Sequence, residues 1–123
     1  MPVTTESMEA AVARIRPTDQ LAVPLGPGQP SAFMHALAER DDWENLQIFG
    51  ALLVDIYPIF TEPGVHHLSG FFGPAERLLR EMGADIEFIP SDFRRFAPIV
   101  AELAPRVMAT LAAPPDRDGY VSL

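Results

Sequence analysis

Cysteine is missing from this sequence, and so is lysine. Without cysteine there can be no disulfide staple, no thiolate zinc site and no thiol nucleophile, and the chain fits a reducing cytoplasm. Without lysine there is neither a phosphate-loop amine nor a Schiff-base amine. All nine basic residues are arginines, set against 17 acids, and the formal net charge is -8. That balance argues against nucleic acid or an anionic membrane as partner. Long apolar runs are absent too. The longest, Phe49 to Phe60, is broken by Asp55 and Pro58 and is too short to span a bilayer. Met1 to Ala11 is acidic and has no apolar h-region, so it does not read as a secretory signal. Neither H-E-x-x-H nor G-x-S-x-G occurs, which leaves zinc peptidase and serine hydrolase chemistry without local support.

What is present suffices for a core. The 123 residues fit one domain, and a chain of this length buries roughly two-thirds of its unfolded surface. Hydrophobic residues make up 48%, which argues against disorder. Thr5 is placed to cap a first helix carrying Met8, Ala11, Val12 and Ile15 at helical spacing, and Pro17 ends it. Strands are expected near 21–25, 46–50, 66–71, 86–89 and 107–111, with one more beginning at Tyr120. Between them lie helical stretches. One starts at Pro30-Ser31 and runs to Asp41. Another opens at Gly73-Pro74 and closes at Gly83, and a third is capped by Ser91 with Phe93, Phe96, Val100 and Leu103 inward and a kink at Pro98. Strands separated by helices require crossovers. The fold class is therefore α/β, a three-layer arrangement with a mainly parallel sheet flanked by helices on both faces. The chain stops inside its last expected strand, so the domain reads as partial, with a single edge strand as the alternative.

Few residues point to chemistry. Gly26-Pro27-Gly28-Gln29-Pro30 follows a strand and opens a helix, where glycines admit a ligand's close approach and a helix start favours an anion. A tight turn with no ligand is the equal alternative. It is not a dinucleotide fingerprint, because Ser31 stands where a third glycine would be and no acid closes the second strand. His66 and His67 are adjacent on a strand, so they face opposite ways and do not share a metal. His35 has no histidine one turn on. Asp41, Asp42, Glu44, Asp85 and Glu87 sit at element ends and read as solvated charges, and Arg94-Arg95 reads as a surface pair.

Several segments then line up in order. They are the Gly26 to Pro30 loop, Ser69-Gly70-Phe71-Phe72-Gly73-Pro74-Ala75-Glu76-Arg77, Phe88-Ile89-Pro90-Ser91, and Asp116 to Leu123 as D-x-x-G-Y-x-S-L. From about Ile15 onward this resembles the N-terminal domain of the acetyl-CoA hydrolase/transferase family, which includes 4-hydroxybutyrate CoA-transferases. The resemblance implies short-chain acyl-CoA and a small carboxylate as ligands, with coenzyme A as substrate and no tightly held cofactor. It also implies that the nucleophilic glutamate comes from a second domain that this chain does not contain, so no catalytic residue is assigned. Gly26, Gly28 and Pro30 match the family's first glycine loop, and Phe71, Phe72, Gly73 and Arg77 match a second loop and helix start. These seven are the expected substrate or CoA contacts. Asp118, Gly119 and Tyr120 match a structural turn. Self-association, or pairing with a C-terminal CoA-transferase domain, is the expected partnership. The rival readings are a non-catalytic α/β binding or interaction module, and an unrelated Rossmann-like nucleotide-binding protein.

Overall fold

The computed structural model describes residues 4–123, so the first three residues of the acidic stretch Met1 to Ala11 lie outside the described residues. Helix α1 (Met8–Ala13) leads into β1 (Gln20–Ala22), α2 (Ser31–Leu37), β2 (Leu46–Gly50), β3 (Val65–Ser69), α3 (Pro74–Glu81), β4 (Asp85–Phe88), α4 (Phe93–Leu103) and β5 (Val107–Met108). Short 3-10 turns occupy Gly26–Gly28 and Pro58–Thr61. All four strand pairings are parallel, and the sheet order is β4-β3-β2-β1-β5.

That order fixes which face each helix covers. Crossovers between parallel strands are right-handed. The steps from β1 to β2, β3 and β4 all move one way across the sheet, so their connections lie on one face. The step from β4 to β5 returns past β1 and puts α4 on the other. Leu21, Ile48, His67 and Ile86 are in register on the first face. They pack there with Val12 and Ile15 of α1, Met34 and Leu37 of α2, and Leu79 of α3. The opposite face carries Gln20, Gln47, His66 and Asp85 in one register row, and Ala22, Phe49, Leu68 and Glu87 in the next. Among the described residues only α4 lies over it. Phe96 meets Phe49 with ring centroids 5.8 Å apart, yet α4 contributes no buried residue. The expected two-sided cover is thus unequal: one face forms the core, and the other is thinly roofed.

Several local expectations need correction. Ser7, not Thr5, caps α1, its hydroxyl accepting from Ala10 N–H at the spacing an N-cap requires. Asp92, not Ser91, caps α4, accepting from the amides of Arg94 and Arg95; Ser91 Oγ instead donates to Gly70 O. Phe93 points outward at 82% exposure because it follows that cap before the helix has turned toward the sheet. β5 stops at Met108, and no strand forms at Tyr120–Leu123. Those residues pair with no strand and are exposed, folded back by bonds from Ala113 N to Ser122 O and from Asp116 N to Tyr120 O.

The edge strand β5 is fastened at its start by one ion pair. Arg106 donates to both carboxylate oxygens of buried Asp19 and to Arg14 O, and Arg16 N–H donates to the same carboxylate at 2.7 Å. The Arg106 guanidinium, aided by that amide, holds the Asp19 carboxyl below its ordinary range. A depressed carboxyl contributes stability above its unfolded pKa, and loses it as pH falls through the folded value. Arg106→Met should therefore lower the melting temperature at pH 7, leaving Asp19 charged, buried and short of a partner. The gap to the parent chain should narrow as Asp19 protonates below about pH 4. Thermal melts followed by the fluorescence of the single tryptophan, Trp43, check this; a gap that is constant with pH would contradict it.

Candidate functional site

The loops at the carboxyl edge of the sheet are stitched together from one buried side chain. Gln29, 2% exposed, sits at the end of the glycine loop after β1. Its Nε2 donates to Ala51 O at 3.1 Å and Leu52 O at 3.2 Å, while its Oε1 accepts from Val54 N–H and from Tyr57 Oη, each at 3.2 Å. Tyr57 Oη lies 2.9 Å from Ser31 Oγ. This clamp holds Leu52 at φ 48°, a left-handed backbone that costs a residue with a side chain roughly 1–2 kcal/mol. Gly26, at φ 50°, meets the same need without a Cβ, and its N–H donates to Leu52 O. Leu52 N–H in turn donates to Phe71 O, linking the loop after β2 to the loop after β3.

A second buried group braces the same loop from the other side. Glu76 accepts from Leu53 N–H at 3.1 Å and from Gly73 N–H at 3.0 Å, so it caps its own helix and pins the β2 loop at once. Beneath it lies His67, fully buried, with its Nδ1 against Ile48 O at 3.0 Å and its ring 4.2 Å from that of Phe60. Its Nε2 has no partner among the described residues.

Along β5, on the core side, runs a groove of about 840 Å³. Ile15, Phe33 and Val107 give it apolar walls. Arg14, Arg16 and Arg106 stand at the end where the strands begin, and Ser31 and Thr110 at the end where they finish. Arg14 pairs with Glu6 and Arg106 with Asp19; the Arg16 side chain makes no ion pair among the described residues. The Ser31 and Thr110 end of the groove lies where the sheet order reverses, between β1 and β5, at the carboxyl edge where open parallel sheets usually seat a ligand; the three arginines stand at the opposite end.

The residues named from sequence fall into three places. Gly26, Gly28 and Pro30 occupy the β1 loop, where Gly28 O accepts from Leu111 N–H at 2.8 Å and from Thr110 Oγ1 at 3.3 Å. Phe71, Phe72, Gly73 and Arg77 follow β3 on the same edge: Phe71 and Arg77 are exposed, Gly73 is buried, and Phe72 packs edge-on against Phe88. The β2 loop joins the two sets, and of the seven only Pro30 lines the groove beside β5. At the helix start expected to seat an anion, Ser31 N–H donates to Gln29 O at 3.0 Å and Met34 N–H to Pro30 O at 3.0 Å. Asp118, Gly119 and Tyr120 form an exposed turn. There Asp116 accepts from the amides of Asp118 and Tyr120, and Gly119 takes φ 84°. Sequence reading missed Gln29, Tyr57, Glu76 and Arg16. Only Glu76 carried a signal, standing three residues after the cap Gly73.

Comparison with known proteins bears on the fold. No family model matches the chain, and no curated protein matches it. Among solved structures it is similar to RipA from Yersinia pestis, at 23% identity and a TM-score of 0.79, over 94% of this chain and 30% of that one. Two single-glutamate mutants of RipA align alike, at 23% identity with a TM-score of 0.79 and at 21% with 0.75. The chain thus spans about 30% of the length of the solved structures it matches, and the likeness shows the α/β fold alone. These findings correct the expected membership of the acetyl-CoA hydrolase/transferase family, since no family model or curated relative supports it and the structural neighbours are RipA. The physical reason is visible in the motif that carried the resemblance. D-x-x-G-Y here is ordinary turn chemistry, an aspartate capping two amides around a left-handed glycine, which unrelated chains also use.

The buried histidine gives this edge a pH signature. Burial pushes the His67 pKa down, outweighing the opposing pull of Ile48 O and Glu76. The folded chain therefore keeps His67 neutral, while the unfolded chain takes up its proton below about pH 6.5. Its contribution is complete above that value and is lost as pH falls. His67→Leu should flatten the decline in urea stability between pH 7 and pH 5, a decline of at most about 1.4 kcal/mol per pH unit from one group. An unchanged slope would show that His67 is not the group responsible.

Proposed function

We propose that the chain binds short-chain acyl-CoA thioesters, or the carboxylates they carry, in the groove beside β5 and supplies no nucleophile of its own. The observation that carries this reading is the groove's combination of apolar walls with Arg16 at one end. Its volume is within the range of small-molecule sites, the walls suit an acyl chain or a pantetheine arm, and a guanidinium suits a carboxylate or a phosphate. The nearby carboxylates are committed elsewhere: Asp19 to Arg106 and Arg16 N–H, and Glu6 to Arg14. Turnover would need a carboxylate from outside the chain. The reading takes the chain as cytoplasmic, with which its lack of cysteine agrees. No helix among the described residues is long and apolar enough to cross a membrane.

A second reading, an interaction module that self-associates or receives a partner domain, draws on the thinly covered sheet face and on exposed Phe93 and Met108. Light scattering showing a dimer at micromolar concentration would favour it.

Calorimetric titration with acetyl-CoA tests the first reading. Saturable binding is expected, weakened about tenfold by Arg16→Ala, the loss of one charge-assisted contact. A thioester assay on the chain alone should show no turnover. Absence of saturable binding, or binding indifferent to Arg16, would overturn the proposal.

A further inference from the structure

The two edges of the sheet, β4 and β5, are built differently. The β4 edge carries exposed Asp85 and Glu87, the kind of charge by which edge strands discourage pairing. From Val107 to Pro115 there is no charge at all, and the chain runs without a turn or bend from Val107 to Asp116. Ala109 N–H donates inward to Ala22 O, and Leu111 N–H to Gly28 O. Backbone groups alternate sides along an extended chain, so those of Met108, Thr110 and Ala112 face away from β1. Among the described residues Thr110 N–H and Ala112 N–H donate to nothing, and no strand lies beyond β5. Met108 is 70% exposed and Leu111 59%.

We infer that this edge is a self-association surface, on which Met108 to Ala112 of a second copy pairs antiparallel about a two-fold axis through Thr110. The inference rests on the self-association reading and names its surface. Unpaired donors and acceptors on an uncharged, extended edge are a template for another strand. The ends of the segment fit it to itself. Arg16 and Arg106 stand where β5 begins, and Asp116 and Asp118 follow where the extended run finishes. An antiparallel two-fold sets each basic end against the other copy's acidic end, whereas a parallel pairing would set like charge against like. Centred on Thr110, the two-fold also pairs Met108 with Ala112, so all three outward residues exchange both backbone bonds.

Sedimentation velocity of the full chain, from micromolar to millimolar concentration, tests this. The parent should sediment as a reversible dimer. Thr110 meets Thr110 across the axis, so Thr110→Lys and Thr110→Glu should each stay monomeric where the parent is dimeric, because like charges then lie directly opposite. An equimolar mixture of the two variants should form the dimer again, lysine meeting glutamate. Ala112→Pro removes an N–H that bonds nothing within the chain, and should weaken the dimer about tenfold with the circular dichroism spectrum unchanged. Dimers as tight as the parent's from the charged variants or from Ala112→Pro, or a mixture that stays monomeric, overturn the inference while leaving self-association through another face. A parent that stays monomeric at millimolar concentration overturns the self-association reading, and the inference with it.

Discussion

The carboxyl edge of this sheet depends on one amide, that of Gln29. A parallel sheet ends in loops whose backbone groups have left the ladder, and each must find another partner if it is not to be buried unpaired. Gln29 answers four such demands at once, two carbonyls, one N–H and one hydroxyl, because a primary amide is the side chain that both donates twice and accepts twice. A carboxylate in its place would set acceptor against acceptor at Ala51 and Leu52. A hydrocarbon would leave Ala51 O and Val54 N–H without the partner they have, at about 1–3 kcal/mol for each buried group, while Leu52 O would keep Gly26 N–H and Tyr57 Oη would keep Ser31 Oγ. The strained turn at Leu52 persists because these bonds, with those of Gly26 and Glu76, over-determine it.

The two faces of the sheet follow a different logic. On the core face, period-2 alternation delivers Leu21, Ile48 and Ile86 inward, and buries His67 among them. On the far face the same alternation delivers Gln20, Gln47, His66 and Asp85, side chains that do not call for a lid, and the second row adds only Ala22, Phe49 and Leu68 for α4 to cover. The division of labour is written in the strands. A helix that buries none of its own residues is its consequence.

The layered α/β plan was legible because it depends on patterns read locally: Pro74 at a helix start, Gly83 after its end, and apolar runs bounded by turn residues. β2 was read to its observed bounds, and the opposite facings of His66 and His67 followed from strand geometry alone. Cap positions slipped by one or two residues, since Ser7 and Asp92 compete with polar neighbours and only backbone geometry decides between them. The site was far less legible. Gln29 reaches Ala51, Leu52, Val54 and Tyr57 across more than twenty positions, a separation at which no spacing rule operates. Arg16 reads as any surface cation until β5 is laid beside α1 to make a groove. The closing Asp116 to Leu123 pattern misled in the other direction. It is distinctive as a string, but its physics is that of a solvent-exposed turn.

The central claim is that backbone groups orient Gln29, and that Gln29 through Tyr57 orients Ser31. Neutron diffraction from a deuterium-exchanged crystal reads that claim directly. The Tyr57 hydroxyl deuteron should lie on the line to Gln29 Oε1, and the Ser31 deuteron on the line to Tyr57 Oη. A Tyr57 deuteron directed at Ser31, or a Ser31 deuteron turned away from Tyr57, would contradict it.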